Sequence, residues 1–507
     1  MRLALCIVLF SASAGAYDFD ISAQTTAQGY QLRWTRFSEQ NRFLNRRRLT
    51  QTLGLDVWNI LEPDVDLTRL HPPPLAPFDV YVSVALRLDH DFGEYTQGTV
   101  SYMQGSAPVI ENATATVPEL AGQSFALDAL YAVVGARRIF GFLDAALGRQ
   151  IVVDTFDWIS YDGLSVRART PWHLAVTAFG GWVVRDSSPL ASDAREPDGT
   201  SASQCTAFSA DTGAFEAVPE CRQRDKAMPV VGATAETTGL RELVARISYR
   251  RAFSRTAAIY PDAQGEAPAW GVNEEVLAGS ARAILLEGAV VPWAAARWNF
   301  LLAAVDQAHA GVRVGAEEWS VTPELIYSLP SFDGDSIFNV FSVDPYWEAR
   351  LTGDAWPGRG PLRAYARAFW RRFLSDETGA LLPGETVPSP NAFGVDVGGR
   401  WRERRFTARL DLFYEDGYGG QRAGGDASGR WRAMPKVEIE GRLSLIRFRD
   451  DLLADGEGMS FGAQAGARWV LGEGIALHLL AEENVNRQDA SQFRLVAVLD
   501  LAFAPEH

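Results

Sequence analysis

The sequence predicts an all-β chain: one closed antiparallel β-barrel of about 22 membrane-spanning strands, within a range of 18 to 22 set by segment boundaries. Three observations predict it. From Asp18 onward hydrophobicity alternates with period two and no helical period is sustained. The alternating runs extend over about 10 to 13 residues, the length a tilted strand needs to cross a bilayer, whereas strands of soluble sandwiches average about five or six. The connections between runs alternate between short and long.

In chain order, residues 1–16 read as a signal peptide: Arg2, an apolar run Leu3 to Phe10, then small residues ending Ala14-Gly15-Ala16. Cleavage after Ala16 removes Arg2 and takes the net charge from −15 to −16. Residues 17–507 follow as one barrel, opening with a hairpin over 17–45 that leaves no separate N-terminal plug. No apolar run of about 18 residues follows the signal, so no helix is expected to span a membrane.

The clearest alternations are these. Val80, Val82, Val84, Leu86 and Leu88 interleave with Tyr81, Ser83, Ala85, Arg87 and Asp89. Leu243 to Arg250, Leu362 to Arg371, Arg405 to Tyr414, Val437 to Leu445 and Phe461 to Trp469 repeat the pattern. Short turns fall near Phe140-Gly141, Arg169–Trp172, Thr238–Arg241, Gly315–Glu317, Trp401–Arg404, Met434-Pro435 and Leu471–Gly474. Longer connections fall near 93–125, 185–228, 255–271, 328–344, 375–391, 416–424 and 449–458, with a Pro-rich exception at 61–77 on the short-turn side.

The last run, Phe493 to Phe503, carries a wholly apolar parity: Phe493, Leu495, Ala497, Leu499, Leu501 and Phe503. The other parity mixes Arg494 and Asp500 with small apolar groups. This run resembles the C-terminal signal strand of Gram-negative outer-membrane β-barrels, although Ala504-Pro505-Glu506-His507 follows the closing aromatic. The resemblance implies short periplasmic turns and long extracellular loops. Gly148-Arg149-Gln150, followed by Tyr161-Asp162-Gly163, resembles the GRQ…DG hairpin of porin-like barrels, the alginate-export and phosphate-selective types being nearest. It implies a solute channel.

Charge facing lipid at mid-bilayer costs about 2–4 kcal/mol for Arg or Lys, so ionic side chains are expected on the lumen face. That parity carries Arg87, Arg167, Arg169, Arg246, Arg250, Arg350, Arg363, Arg367, Arg371, Arg405, Arg409, Arg442, Arg468 and Arg494. Acids interleave at Asp79, Asp89, Glu348, Asp411, Glu438, Glu440, Glu482 and Asp500. Two readings stand: guanidinium rows that attract anions through permanent charge and a bidentate fork, or Arg–acid pairs that brace neighbouring strands. Arg363, Arg367 and Arg371 are the first choice for selectivity, because no acid lies between them. Arg405, Arg409, Arg246, Arg250 and Arg350 complete the candidate lumen set.

Cys205 and Cys221 are expected to form a loop disulfide in an exported chain, within a connection that either staples the surface or folds into the lumen. Gly458-Met459-Ser460-Phe461-Gly462 matches G-x-S-x-G, but it opens a strand with no helix after it, so no catalytic residue is assigned. The six histidines lack metal-ligand spacing, and neither a metal site nor a cofactor is expected. Asp333-Gly334-Asp335 and Asp89-His90-Asp91 read as solvated turns, with Ca²⁺ or lipopolysaccharide bridging the alternative. Trp172, Trp182, Trp347, Trp370, Tyr414 and Trp469 read as interface girdles.

The function expected is passive diffusion of small polar solutes, with an anion preference, across the cell outer membrane. The alternative is a non-transporting barrel with a structural or adhesive surface role. A barrel-embedded hydrolase has only the G-x-S-x-G match behind it. The partners expected are outer-membrane lipid and lipopolysaccharide, the barrel-assembly machinery and the solutes, with self-association left open. The acidic balance argues against nucleic acid.

Overall fold

The computed structural model describes residues 18–34, 42–60, 78–91, 125–184, 228–254, 271–329, 345–374, 389–450, 456–486 and 489–504, with short pieces at 96–97, 100–102, 108–110, 206–209 and 214–217. Twenty-two long strands form the wall. The first seven are β1 (Asp18–Trp34), β2 (Arg42–Trp58), β3 (Asp79–Asp91), β4 (Phe125–Ile139), β5 (Leu143–Val153), β6 (Trp158–Arg169) and β7 (Leu174–Val183). Next come β8 (Pro229–Thr237), β9 (Leu243–Ser254), β10 (Gly271–Ala283), β11 (Val290–Asn299), β12 (Ala304–Gly315), β13 (Trp319–Ser328) and β14 (Tyr346–Ala355). The last eight are β15 (Leu362–Phe373), β16 (Asn391–Arg402), β17 (Phe406–Gly417), β18 (Gly420–Met434), β19 (Val437–Asp450), β20 (Gly456–Gly472), β21 (Ile475–Val485) and β22 (Asp489–Phe503).

Each strand pairs antiparallel with its neighbour in the chain, and β22 returns to β1 in a register running from Ile21↔Phe503 to Trp34↔Asp489. The wall therefore closes with no free edge, which satisfies the backbone groups that an open sheet would leave unpaired. Closure places Asp18 and Phe503 at one end. At that end the connections are tight: Phe140–Phe142, Thr170–His173, Thr238–Glu242 and Pro435-Lys436 are examples. Phe140 and Gly141 both take positive φ, the geometry of a two-residue hairpin turn.

At the far end the expected pattern needs correction. The segment 416–424 is not a long loop: β17 runs to Gly417 and β18 starts at Gly420, joined through Tyr418-Gly419. Gly417, Gly419 and Gly420 all adopt positive φ, so a glycine-rich stretch that reads as a loop is a tight hairpin. The connection at 449–458 shrinks to 451–455, and three further far-end connections, 154–157, 300–303 and 486–488, are short as well.

Contacts between strands that are not neighbours can form only through the interior, and they fix which parity faces inward. Asp157, between β5 and β6, binds Arg250 on β9 and Arg297 on β11. Cross-strand partners share a face, so the register carries this assignment round the wall. The opposite parity holds the exposed large apolar side chains, such as Phe393, Val395, Val397 and Trp401 on β16 or Phe461 and Trp469 on β20. Aromatics bracket this outer band. Trp158, Trp182, Trp347, Trp370 and Tyr414 lie toward the far end, and Trp172, Trp401, Phe406, Trp431, Trp469 and Phe503 toward the termini. A water-soluble core would bury these residues.

The interior is filled unevenly. Ile159, Tyr161, Phe179, Met228, Val230 and Ala252 pack into one buried cluster between β6 and β9, with Val152 and Val183 against it. Beside it Arg250, Arg297 and Asp306 are also buried. Among the described residues, the inner face of β15–β22 has just two buried side chains, Ala392 and Ala476. Among the described residues one lobe of the barrel is packed and the other is open.

Candidate functional site

The open lobe is lined by the inner face of β15–β22, and its basic character is built strand by strand. Alternation puts Arg363, Arg367 and Arg371 inward on β15, because Leu362, Trp370 and Leu374 face out. On β16 the same logic turns Asp396, Arg400 and Arg402 inward. Register then aligns one residue per strand into a lateral row. Arg363 lies opposite Arg400, Arg400 opposite Arg409, Arg409 opposite Ser428, and Ser428 opposite Arg442; Gln464, Glu482 and Arg494 continue it.

Like charges placed directly opposite each other destabilise a sheet. Arg363, Arg400 and Arg409 form two such pairs in succession. Bracing between strands does not account for them. Acids partly offset the row from beside it. Arg409 donates from Nε to Asp411 at 2.5 Å, and Arg442 from Nε to Asp426 at 2.6 Å, where Ser444 also donates. The acids lie low and the guanidinium groups stand proud: Arg409 and Arg442 are 59% and 57% exposed, Asp411 and Asp426 17% and 23%. The guanidinium groups are thus the solvent-accessible members of these pairs. Two recesses flank the row, one of about 410 Å³ bounded by Arg367, Arg409, Asp411, Asp426 and Arg442, the other of about 300 Å³ bounded by Arg400, Arg409, Arg430, Glu440 and Arg442.

The candidate lumen residues divide into several settings. Arg363 belongs to the row and stands 5.7 Å from the ring centre of Trp356. Arg367 pairs with Asp396 on β16 at 2.5 Å. Arg371 donates to Glu348 on β14 at 2.7 and 2.9 Å, reaches Glu415 at 3.4 Å, and lies over the rings of Tyr346, Phe369 and Phe373. The lack of acids along β15 therefore does not leave these last two arginines unpaired, because strands β14, β16 and β17 supply the carboxylates. Arg350 shares Glu348 at 2.5 Å. Arg250 belongs to the packed lobe, bound to Asp157 and Glu274. Arg246 faces inward on β9 with a buried Nε that has no hydrogen-bond partner. Arg405 is exposed in the turn before β17.

Arg400 was not among the sequence candidates. The signal was present, since Phe393, Val395 and Val397 alternate with Asp396, Gly398 and Arg400 ahead of the turn expected at Trp401–Arg404, but this run was not among the alternations used to choose the lumen set. Cys205, Cys221, residues 1–16 and the Asp333-Gly334-Asp335 segment lie outside the described residues. Asp89 is already bound by Arg48, Arg87 and Thr50. Among the described residues no group of His, Cys, Asp and Glu could hold a metal ion. The G-x-S-x-G segment lies inside β20, paired with β19 throughout, with no strand-to-helix turn.

The GRQ…DG residues form one cross-strand unit. Arg149 grips Asp162 with two hydrogen bonds of 2.8 and 2.9 Å, and Gln150 donates to the Gly163 carbonyl at 2.9 Å while accepting from Ser165. This is a structural brace between β5 and β6.

No protein-family model matches the sequence, and no curated protein is significantly similar to it. Three of the solved structures that overlay on the chain are as follows. Acinetobacter baumannii OccAB4 aligns at 8% identity and a TM-score of 0.37, covering 96% of this chain and 98% of its own. Pseudomonas aeruginosa OpdK with vanillate aligns at 9% and 0.40, covering 96% and 99%. Pseudomonas aeruginosa OpdQ aligns at 8% and 0.40, covering 97% and 100%. Likenesses this remote assign neither a family nor a solute to this chain.

Proposed function

We propose that this protein is a porin-like outer-membrane channel that passes small polar solutes by diffusion and prefers anions. The observation that carries the preference is the Arg363–Arg400–Arg409–Arg442 row on the open lobe, where like charges face each other across strands and the guanidinium groups stand above their acids. An arrangement that costs stability and lines open solvent suits a selectivity surface. Hydrocarbon wets the outer apolar band, and the aromatic girdles sit at its two interfaces. Export by a cleaved signal, insertion by the barrel-assembly machinery and contact with lipopolysaccharide at the long-loop end belong to the same reading.

The packed lobe favours a second reading, a sealed barrel with a surface role. Planar-bilayer recording separates the two, because a sealed barrel gives no conductance steps. Selectivity is tested by reversal potential in a salt gradient, comparing the parent with Arg400→Ala/Arg409→Ala/Arg442→Ala. The anion-to-cation permeability ratio is expected to fall toward about one as the ring of charge is removed. An unchanged ratio would reject the row as the selectivity surface.

A further inference from the structure

We propose that Asp157 is a latch that fixes both the cross-section and the charge of the conducting pathway, by holding the 154–157 turn inside the barrel. Two features separate this turn from an ordinary hairpin connection. It belongs between β5 and β6, yet its side chains end on β9, β10 and β11. Asp154 accepts a hydrogen bond from Ser248, and Thr155 Oγ1 lies 3.4 Å from Ser280 Oγ. Asp157 receives three charge-assisted hydrogen bonds, from Arg250 Nη1 at 2.9 Å, Arg250 Nη2 at 2.7 Å and Arg297 Nη1 at 3.0 Å.

The turn reaches past β7 and β8 to β9–β11, and the Tyr161–Phe179–Val230 cluster lies within the same sector of the wall. Arg250 and Arg297 are 6% and 9% exposed, so neither presents its charge to solvent while the turn is docked. Glu274 holds the far side of Arg250, and Asp306 holds Arg297 at 2.8 Å. With Asp157 in place the group carries two cations and three anions, 2 − 3 = −1. Loss of Asp157 brings the sum to zero and frees the inner faces of both guanidinium groups. The docked turn thereby confines conduction to the lobe lined by the arginine row. Undocking adds area and removes one negative charge.

The conductance part of this inference rests on the channel reading; the docking part does not, and the test keeps them apart. Thr155→Cys/Ser280→Cys is introduced in a chain with Cys205 and Cys221 replaced by Ser, with and without Asp157→Ala. Cross-linking under mild oxidant is read by gel mobility of folded protein, and single-channel conductance is read in planar bilayers before and after reduction. With Asp157 present the cysteines are expected to cross-link readily. With Asp157→Ala the rate falls roughly tenfold or more, because three charge-assisted bonds to the turn are gone. In that background the reduced protein conducts more and prefers anions more strongly; oxidation returns the conductance to the parental value, while the anion preference stays above it because the carboxylate is gone. Equal cross-linking rates with and without Asp157, or a conductance that Asp157→Ala and the redox state leave unchanged, would overturn the latch. If the parent shows no conductance steps, the channel reading fails and the cross-linking rates still decide whether Asp157 docks the turn.

Discussion

Glu348 shows how a lumen side chain can be buried and ionic at once. It is 1% exposed, and its two oxygens are divided between Arg350 on its own strand and Arg371 on the next. Removing one partner of a buried pair leaves the other charge uncompensated and costs about 3 kcal/mol. Glu348→Ala is therefore expected to lower the unfolding free energy of the barrel in lipid vesicles, read by urea titration, by that order, and Arg350→Ala by less, since Arg371 stays paired. Equal small effects would show that lumen water already solvates Glu348. The same residue shows why the setting of Arg371 is only half legible in the sequence. Its parity, and hence its inward direction, is readable from Leu362 and Trp370. Its partner is not, because Glu348 meets Arg371 through a strand register set by the turn between β14 and β15. Residue identities specify a face; register decides whether a charge on that face is paired, as at Arg367, or set against its like, as at Arg363.

Strands were the most legible elements, because a wall wetted by hydrocarbon on one side and solvent or packed polar groups on the other forces long, strict alternation. Turns were less legible, since a few glycines or carboxylates can either extend a loop or close a hairpin. Tyr418-Gly419 and the 154–157 turn are the two cases, the second giving no local sign that it would reach β11. Glycines also shape the wall itself. Gly148, Gly163 and Gly181 face one another across β5, β6 and β7. A Cβ on Gly163 would stand 2.1 Å from the Gly180 carbonyl oxygen and 2.7 Å from Gly181 Cα, and one on Gly148 would stand 2.1 Å from the Ala132 oxygen at a φ of +124°. The obstacle is backbone, which cannot rotate away as a side chain would. Gly163→Ala is expected to destabilise by about 3 kcal/mol or more, at the upper end of overpacking costs. Ser165→Ala on the same strand, which loses the hydroxyl's hydrogen bond to Gln150 and its polar contact with Tyr161 without adding an atom, is expected to cost about 1 kcal/mol. Heat-modifiable migration on gels, followed against temperature, would rank the two; a Gly163→Ala barrel as robust as Ser165→Ala would show that the close packing of these strands is not required.

Across the whole molecule the net charge conceals a division. The chain carries −15. On the inner face of β15–β22, among the described side chains, twelve arginines (363, 367, 371, 400, 402, 409, 422, 430, 432, 442, 468, 494) meet eight acids (396, 411, 415, 426, 438, 440, 482, 500), so 12 − 8 = +4. Among the described side chains on the inner face of β1–β3, Asp18, Asp20, Asp56, Asp79 and Asp89 outnumber Arg48 and Arg87, so 2 − 5 = −3. On the channel reading proposed above, a solute in the open lobe experiences the field of the near wall, and the sign of the net charge does not predict its preference. Fields of solvated charges fade with ionic strength, the Debye length falling from about 10 Å at 0.1 M to about 3 Å at 1 M salt. If the arginine wall sets the preference through its field, the anion-to-cation permeability ratio measured at a fixed concentration ratio should be high near 0.1 M and approach about one near 1 M. A preference arising from contact sites too narrow for ions to pass unbound would persist at high salt. A ratio that does not change between those two conditions would remove the wall's field as its cause, and would direct attention to the recesses around Arg409 and Arg442 as discrete sites of anion contact.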